Sequence, residues 1–213
     1  MLKKRKSLIL IFGRTKWDSA RFFLGHERVE IVTEYTYLGI IFHESGLFTK
    51  AINKQKAQAR KAMHALLWRI KRLNLSFEIA LELLEKLVLT VLLYGAEIWG
   101  FSNLECIEVF HRQFLKNLLG VHKSTNNVMV YGEVGKPPLE YFVTQRMVSF
   151  WCRLCTSRQS KISSMLYKLA YKMHYDVNVS FESDWITSVE SKLANLGLNI
   201  HHGVENYESA NQI

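Results

Sequence analysis

A chain of 213 residues, 48% hydrophobic, is long enough to bury one sizeable core, and its 12% aromatic content excludes a disordered composition. The formal net charge of +9 points to a polyanionic partner, and that charge is segregated. Residues 1–75 hold 16 Lys and Arg against 5 Asp and Glu, whereas residues 76–213 hold 12 against 14, so the whole basic excess lies in the first third.

The chain opens on charge (Lys3-Lys4-Arg5-Lys6) followed by Ser7-Leu-Ile-Leu-Ile-Phe12, a run that predicts a strand buried on both faces. Gly13-Arg14 cuts that run, leaving it too short for a secretory leader. Arg21-Phe-Phe-Leu24, Gly25-His26 and Glu27–Val32 read as a hairpin, and Tyr35–Phe42 as one further strand bent at Gly39.

After Gly46 the apolar period changes from two to about 3.6. Phe48, Ile52, Ala59, Met63, Leu66, Ile70 and Leu73 form one stripe of a long helix. Lys50, Lys54, Lys61 and Arg72 project from the opposite face, flanked by Lys56, Arg60 and Lys71. No acidic residue occurs between Glu44 and Glu78, so this helix cannot neutralise itself by pairing along its own length. Ser76 is placed to cap the next helix with Glu78 in its first turn, and Ile79, Leu83, Leu84, Leu87, Val88 and Val91 are its expected buried side. That helix gives out near Tyr94-Gly95. Further helical patterns cover about 103–119, 138–157, 160–174 and 182–196, with Gly132, Gly135 and Pro137-Pro138 as a break, and a loose polar tail follows Gly203.

These elements predict an α+β fold, mainly α. A small antiparallel β portion occupies 1–45, a helical bundle 46–175, and a C-terminal helix with its tail 176–213. So few short strands are marginal alone, and they are expected to belong to a larger sheet that the chain does not contain. The longest apolar stretch, Leu87–Tyr94, is far below the roughly 18 residues of a membrane-spanning helix. Together with an odd count of three cysteines, this predicts an intracellular protein, nuclear or cytoplasmic, with reduced thiols. No strongly amphipathic anchor accompanies the positive charge, which favours nucleic acid over an anionic membrane as partner.

Five motifs in order carry a family likeness. They are the basic strand Lys4–Phe12, Tyr35-Thr-Tyr37-Leu38-Gly39, the long basic helix, Leu93-Tyr-Gly-Ala-Glu97-Ile-Trp99-Gly100, and Tyr131-Gly-Glu133-Val-Gly135-Lys-Pro-Pro-Leu139-Glu. From about Lys4 to at least Tyr171 the chain resembles the carboxy-terminal part of LINE-type (non-LTR) retrotransposon reverse transcriptases. The resemblance implies that residues 1–45 are the end of a polymerase palm and that the helices after them are the thumb and a downstream region. It implies that Lys4 and Lys6 belong to the palm block whose lysine assists pyrophosphate departure, although Arg5 stands where a small residue is usual. It further implies that Tyr37, Leu38 and Gly39 form a primer-grip-like turn, and that Lys50, Lys54, Lys61 and Arg72 follow the template–primer backbone of an RNA/DNA duplex. The last assignment also follows from the charge projection alone.

Nucleotidyl transfer in that family uses two divalent metals held by palm carboxylates, an adjacent Asp pair among them. This chain has only Asp18, Asp176 and Asp184, none adjacent, and lacks the fingers. It is therefore expected to need no cofactor of its own, Mg2+ being implied only for a full-length enzyme, and not to polymerise DNA alone. Because Lys4 follows Met1 so closely, the chain is expected to begin mid-palm, with the missing palm and fingers as its natural partner.

Other residues admit other readings. Lys3–Lys6 could serve as a nuclear localisation signal, or simply be solvated. Cys152-Arg-Leu-Cys155 has zinc-knuckle spacing but lies in an apolar helix without a second ligand pair, which favours buried thiols. Trp68, Trp99 and Trp151 could stack on bases, yet at helical spacing among Leu and Ile they read as core. Glu97 and Glu133 have no paired carboxylate or His beside them and read as capping or buried hydrogen-bonding groups. An unrelated alternative is a stand-alone helical interaction module whose basic face meets an acidic protein.

Overall fold

The computed structural model describes residues 7–12, 21–101, 104–156, 161–179 and 181–197; the basic segment Lys3–Lys6, Asp18 and the tail beyond Gly203 lie outside them. The fold is α+β and mainly helical, with short strands first and a helical bundle after. Strands β1 (Leu8–Leu10), β2 (Phe22–Leu24) and β3 (Glu27–Val32) form one sheet in the order β1-β3-β2. Phe22–Leu24 and Glu27–Val29 pair as the expected hairpin, closed by a two-residue loop in which Gly25 takes a positive φ of 64°.

Two details of the strand portion differ from the expectation. β1 runs parallel to β3, so this sheet is mixed rather than wholly antiparallel. β2 is antiparallel to β3, so of the three strands β1 and β3 point the same way. Tyr35–Phe42 is not one bent strand but a second hairpin, β4 (Glu34–Tyr37) and β5 (Ile40–His43), with Tyr37 opposite Ile40.

Helix α1 spans Thr49–Leu73 and buries Ala51, Ile52, Gln55, Ala59, Met63 and Leu66. The expected stripe runs out before its end: Ile70 is half-buried and Leu73 is exposed, because the last turn projects past the bundle. Asn74 closes the helix in the left-handed region at φ 45°, a conformation Asn tolerates better than most residues, and its N–H reaches the Ile70 carbonyl. Ser76 then caps α2 (Phe77–Leu83), its hydroxyl accepting from the Ile79 N–H. The Glu78 carboxyl is held below its ordinary pKa by its own backbone N–H and by Ser76.

From α2 the chain continues through a π-helical stretch, Leu84–Leu89, into α3 (Thr90–Leu92). The buried side here is Ala80, Leu81, Leu84, Val88, Leu89 and Leu92, while the expected Ile79 and Leu87 are exposed. Glu78, Glu82, Lys86 and Thr90, four residues apart, mark the solvent side and Ile79 projects within that arc, while π winding over Leu84–Leu89 shifts the phase at Leu87.

The remaining helices are α4 (Ala96–Trp99), α5 (Glu105–Leu119), α6 (Asn127–Val134), α7 (Leu139–Thr156), α8 (Ile162–Tyr175) and α9 (Asp184–Asn195). Four of them fall on the predicted spans. Helix α6 was unexpected: its Val-Met-Val-Tyr-Gly composition favours strand, but Asn126 caps it at 2.8 Å and Gly135 ends it left-handed. One continuous core holds Trp99, Ile107, Phe114, Leu115, Leu139, Val143 and Met147 at full burial, and α9 adds Val189 and Leu193 to it. Among the described residues no helix is long and apolar enough to cross a membrane.

Candidate nucleic-acid interface

The two residues between β4 and β5 are Leu38 and Gly39, with φ of 47° and 87°. A two-residue hairpin loop with positive φ at both positions matches the twist of its strands. Gly39 adopts it freely, but for Leu38 the same region costs about 1–2 kcal/mol. The strained turn is held from below. The Tyr94 hydroxyl donates to the Leu38 carbonyl at 2.8 Å, and the Lys54 ammonium donates to the Gly39 carbonyl at 3.2 Å. Tyr94 is positioned in turn by Gly95, φ 72°, where an added Cβ would lie 2.4 Å from Ile40 Cδ1. Two motifs far apart in sequence, Tyr37-Leu38-Gly39 and Leu93–Gly100, thus form one unit with the root of the basic helix.

The second motif is itself fastened to the bundle by carbonyls that accept from large side chains. Trp99 Nε1 donates to the Tyr94 carbonyl at 2.9 Å, Arg146 to Leu93 at 2.7 Å and Trp185 Nε1 to Glu97 at 2.9 Å. The Leu38–Tyr94 clamp separates two hollows. One, about 370 Å³, is lined by Lys54, Gln58, Thr90 and Tyr94; the other, about 400 Å³, is mostly apolar, with Glu97 and Arg146 on its wall. The carbonyls of Leu38 and Gly39 each already accept a hydrogen bond inside the protein. The turn therefore offers a ligand chiefly the side chains of Tyr37 and Leu38, both largely exposed.

Helix α1 rises from this unit. On a helical projection Lys50, Lys54, Lys61 and Arg72 fall within an arc of about 40°, spread along about 33 Å of axis. The arc is opposite the buried stripe, but its members differ in what they touch. Lys50 pairs with Glu34 of β4 at 2.5 Å, which also holds the Glu34 carboxyl below its ordinary pKa. Lys54 is half-buried against Gly39. Lys61 and Arg72 are exposed, as are Arg60, Arg69 and Lys71, and among the described residues no carboxylate pairs with any of these five. The distal half of the helix thus presents uncompensated positive charge, while Lys50 and Lys54 serve the hairpin. Lys4 and Lys6 lie outside the described residues.

Several readings of single residues are corrected here. Trp99 is fully buried and Trp151 half-buried with its Nε1 donating to the Tyr167 hydroxyl, but Trp68 is 59% exposed on the outer face of α1, not core. Its ring carries the Arg72 guanidinium 4.9 Å from the centroid. Cys152 is exposed rather than buried, because its side of α7 turns away from the core; Cys155 is half-buried, and burial raises its thiol pKa to about 11. Glu133 is exposed on α6, neither capping nor buried. The buried carboxylate is one the sequence did not single out. Glu108 on α5 accepts the Tyr131 hydroxyl at 2.7 Å and the Glu140 N–H at 2.8 Å, tying the first turn of α7 to α5. Beside it His111 is 2% exposed, with no hydrogen-bond partner for Nδ1 among the described residues. Burial lowers its pKa to about 4, so it is neutral at pH 7.

A two-metal site would need clustered carboxylates, and among the described residues no group of three or more His, Cys, Asp or Glu is placed to hold a metal ion. No protein-family model, no curated protein and no solved structure matches the chain.

Proposed function

We propose that this chain is the phosphate-gripping end of a retrotransposon-type RNA-directed DNA polymerase, supporting the primer and binding template–primer without regard to sequence, and that it does not polymerise alone. The observation that carries the reading is the outer face of α1. Arg60, Lys61, Arg69, Lys71 and Arg72 stand exposed on a rigid helix with no carboxylate partner among the described residues. Helical cations spaced along about 18 Å match a run of successive phosphates better than a compact ligand. The joining of the Tyr-Leu-Gly turn to the Tyr94-Gly95 turn at the foot of that helix supports the assignment of primer support to the hairpin. The protein acts inside the cell, in nucleus or cytoplasm, and a palm and fingers that carry the metal-binding carboxylates are its partner in a complete enzyme.

Fluorescence anisotropy with a labelled RNA/DNA duplex tests the reading. The expected result is weak binding at low salt, indifferent to sequence and falling steeply as salt rises. Failure to bind at low salt would overturn it, as would tighter binding to an acidic peptide of equal charge, which is the result a protein-interaction module gives.

A further inference from the structure

Trp68 has no part in the grip on phosphates, yet it stands in the middle of that face. It is five turns from Lys50 on the same side of α1, two turns beyond Lys61 and one turn before Arg72. An indole there gains nothing from the core: 59% of the residue is exposed, and the guanidinium over its ring leaves that much open. A large aromatic surface in water is unfavourable unless something covers it. Cations flanking an open ring form the combination that tracks a nucleic-acid backbone while stacking its bases.

Bases inside a duplex show their faces only to one another. A ring at the protein surface can therefore stack only on a base that is unpaired or terminal. Resting on the phosphate-binding reading above, we propose that Trp68 is a base-stacking platform and that the ligand of this face includes a single-stranded segment. Arg72 fixes the ring by its cation–π contact, and Lys61 and Arg72 hold the phosphates on either side of the stacked nucleotide.

The test compares two single-stranded oligonucleotides of equal length and charge, one with bases and one abasic, against the full chain at one low salt concentration. The intact protein is expected to bind the base-bearing strand about 5- to 150-fold more tightly than the abasic strand, the range that stacking of one base on an aromatic side chain provides. Trp68→Ala should bring the base-bearing strand down to the abasic level and leave the abasic affinity unchanged, while Trp68→Phe keeps most of the preference. The residue is exposed, so equal helical circular dichroism of all three proteins is expected. If the intact protein binds both strands equally, or if Trp68→Ala weakens both alike, the platform is refuted while the phosphate grip stands. If it binds neither strand, the platform is refuted, and the RNA/DNA duplex titrated in parallel decides separately whether the phosphate grip stands. A Trp68-dependent complex with an acidic peptide, in place of either strand, would also overturn the proposal.

Discussion

The strands and the helices of this protein satisfy their apolar side chains to very different degrees. In the helical bundle, Trp99, Phe114, Leu115, Val143 and Met147 are fully buried in one core that draws on α1 to α7 and α9. Among the described strand residues only Val29 and Ile40 are buried hydrophobics, neither in that cluster, while Phe23 and Leu24 of β2 stand more than half exposed. Apolar burial is concentrated in the bundle, although Ile162, Met165, Leu166 and Leu169 of α8 are also more than half exposed. Hydrogen bonding alone gives a small sheet little net stability, so its order depends on what covers it. The stable platform for any binding face therefore lies in the helices.

The contrast can be broken at its strongest point first. Trp99→Ala removes a fully buried ring and the hydrogen bond that holds the Tyr94 carbonyl, and should destabilise the protein by about 3–5 kcal/mol in urea unfolding. A loss below about 1 kcal/mol would mean the bundle core is not the main source of stability.

Acid should come next. An unfolded histidine takes up its proton near pH 6.5, whereas buried His111 does so only near pH 4. Between those values the unfolded chain binds more protons, so stability is full above about pH 6.5 and falls as pH drops toward 4, by about 3 kcal/mol in all. His111→Phe should flatten that part of the pH–stability curve; an unchanged slope would refute the assignment. Phe23→Ser, on the exposed strand, should change stability by no more than about 0.5 kcal/mol. Amide hydrogen exchange sharpens the same comparison. The β2 and β4 amides should exchange by local opening well before those of α5 and α7, and equal protection would erase the distinction.

Much of the fold was legible because its signals were periodic or punctuated. The stripe from Ile52 to Leu66, the Ser76 cap and the Gly135–Pro138 break each state a boundary through one physical requirement. The misreadings share the opposite cause. In Phe77–Leu92 the π winding displaces the buried face from where a regular α-helical period puts it, and α6 is decided by its caps against its own composition. For the candidate interface, the basic arc was visible in the projection. Its division was not, since Glu34 and the Gly39 carbonyl reach α1 only through the hairpin. Trp68 could have been found from its place on the same arc as Lys50; the expectation that tryptophan is core hid it.

The central claim is that exposed cations on the distal part of α1 grip phosphates, and the slope of log binding constant against log salt measures it most directly. Lys61→Gln and Arg72→Gln leave the core untouched. Together they should lower the slope on duplex by about 0.9 for each phosphate contact removed, and weaken binding alike on every sequence. A slope identical to that of the unsubstituted protein would contradict the account.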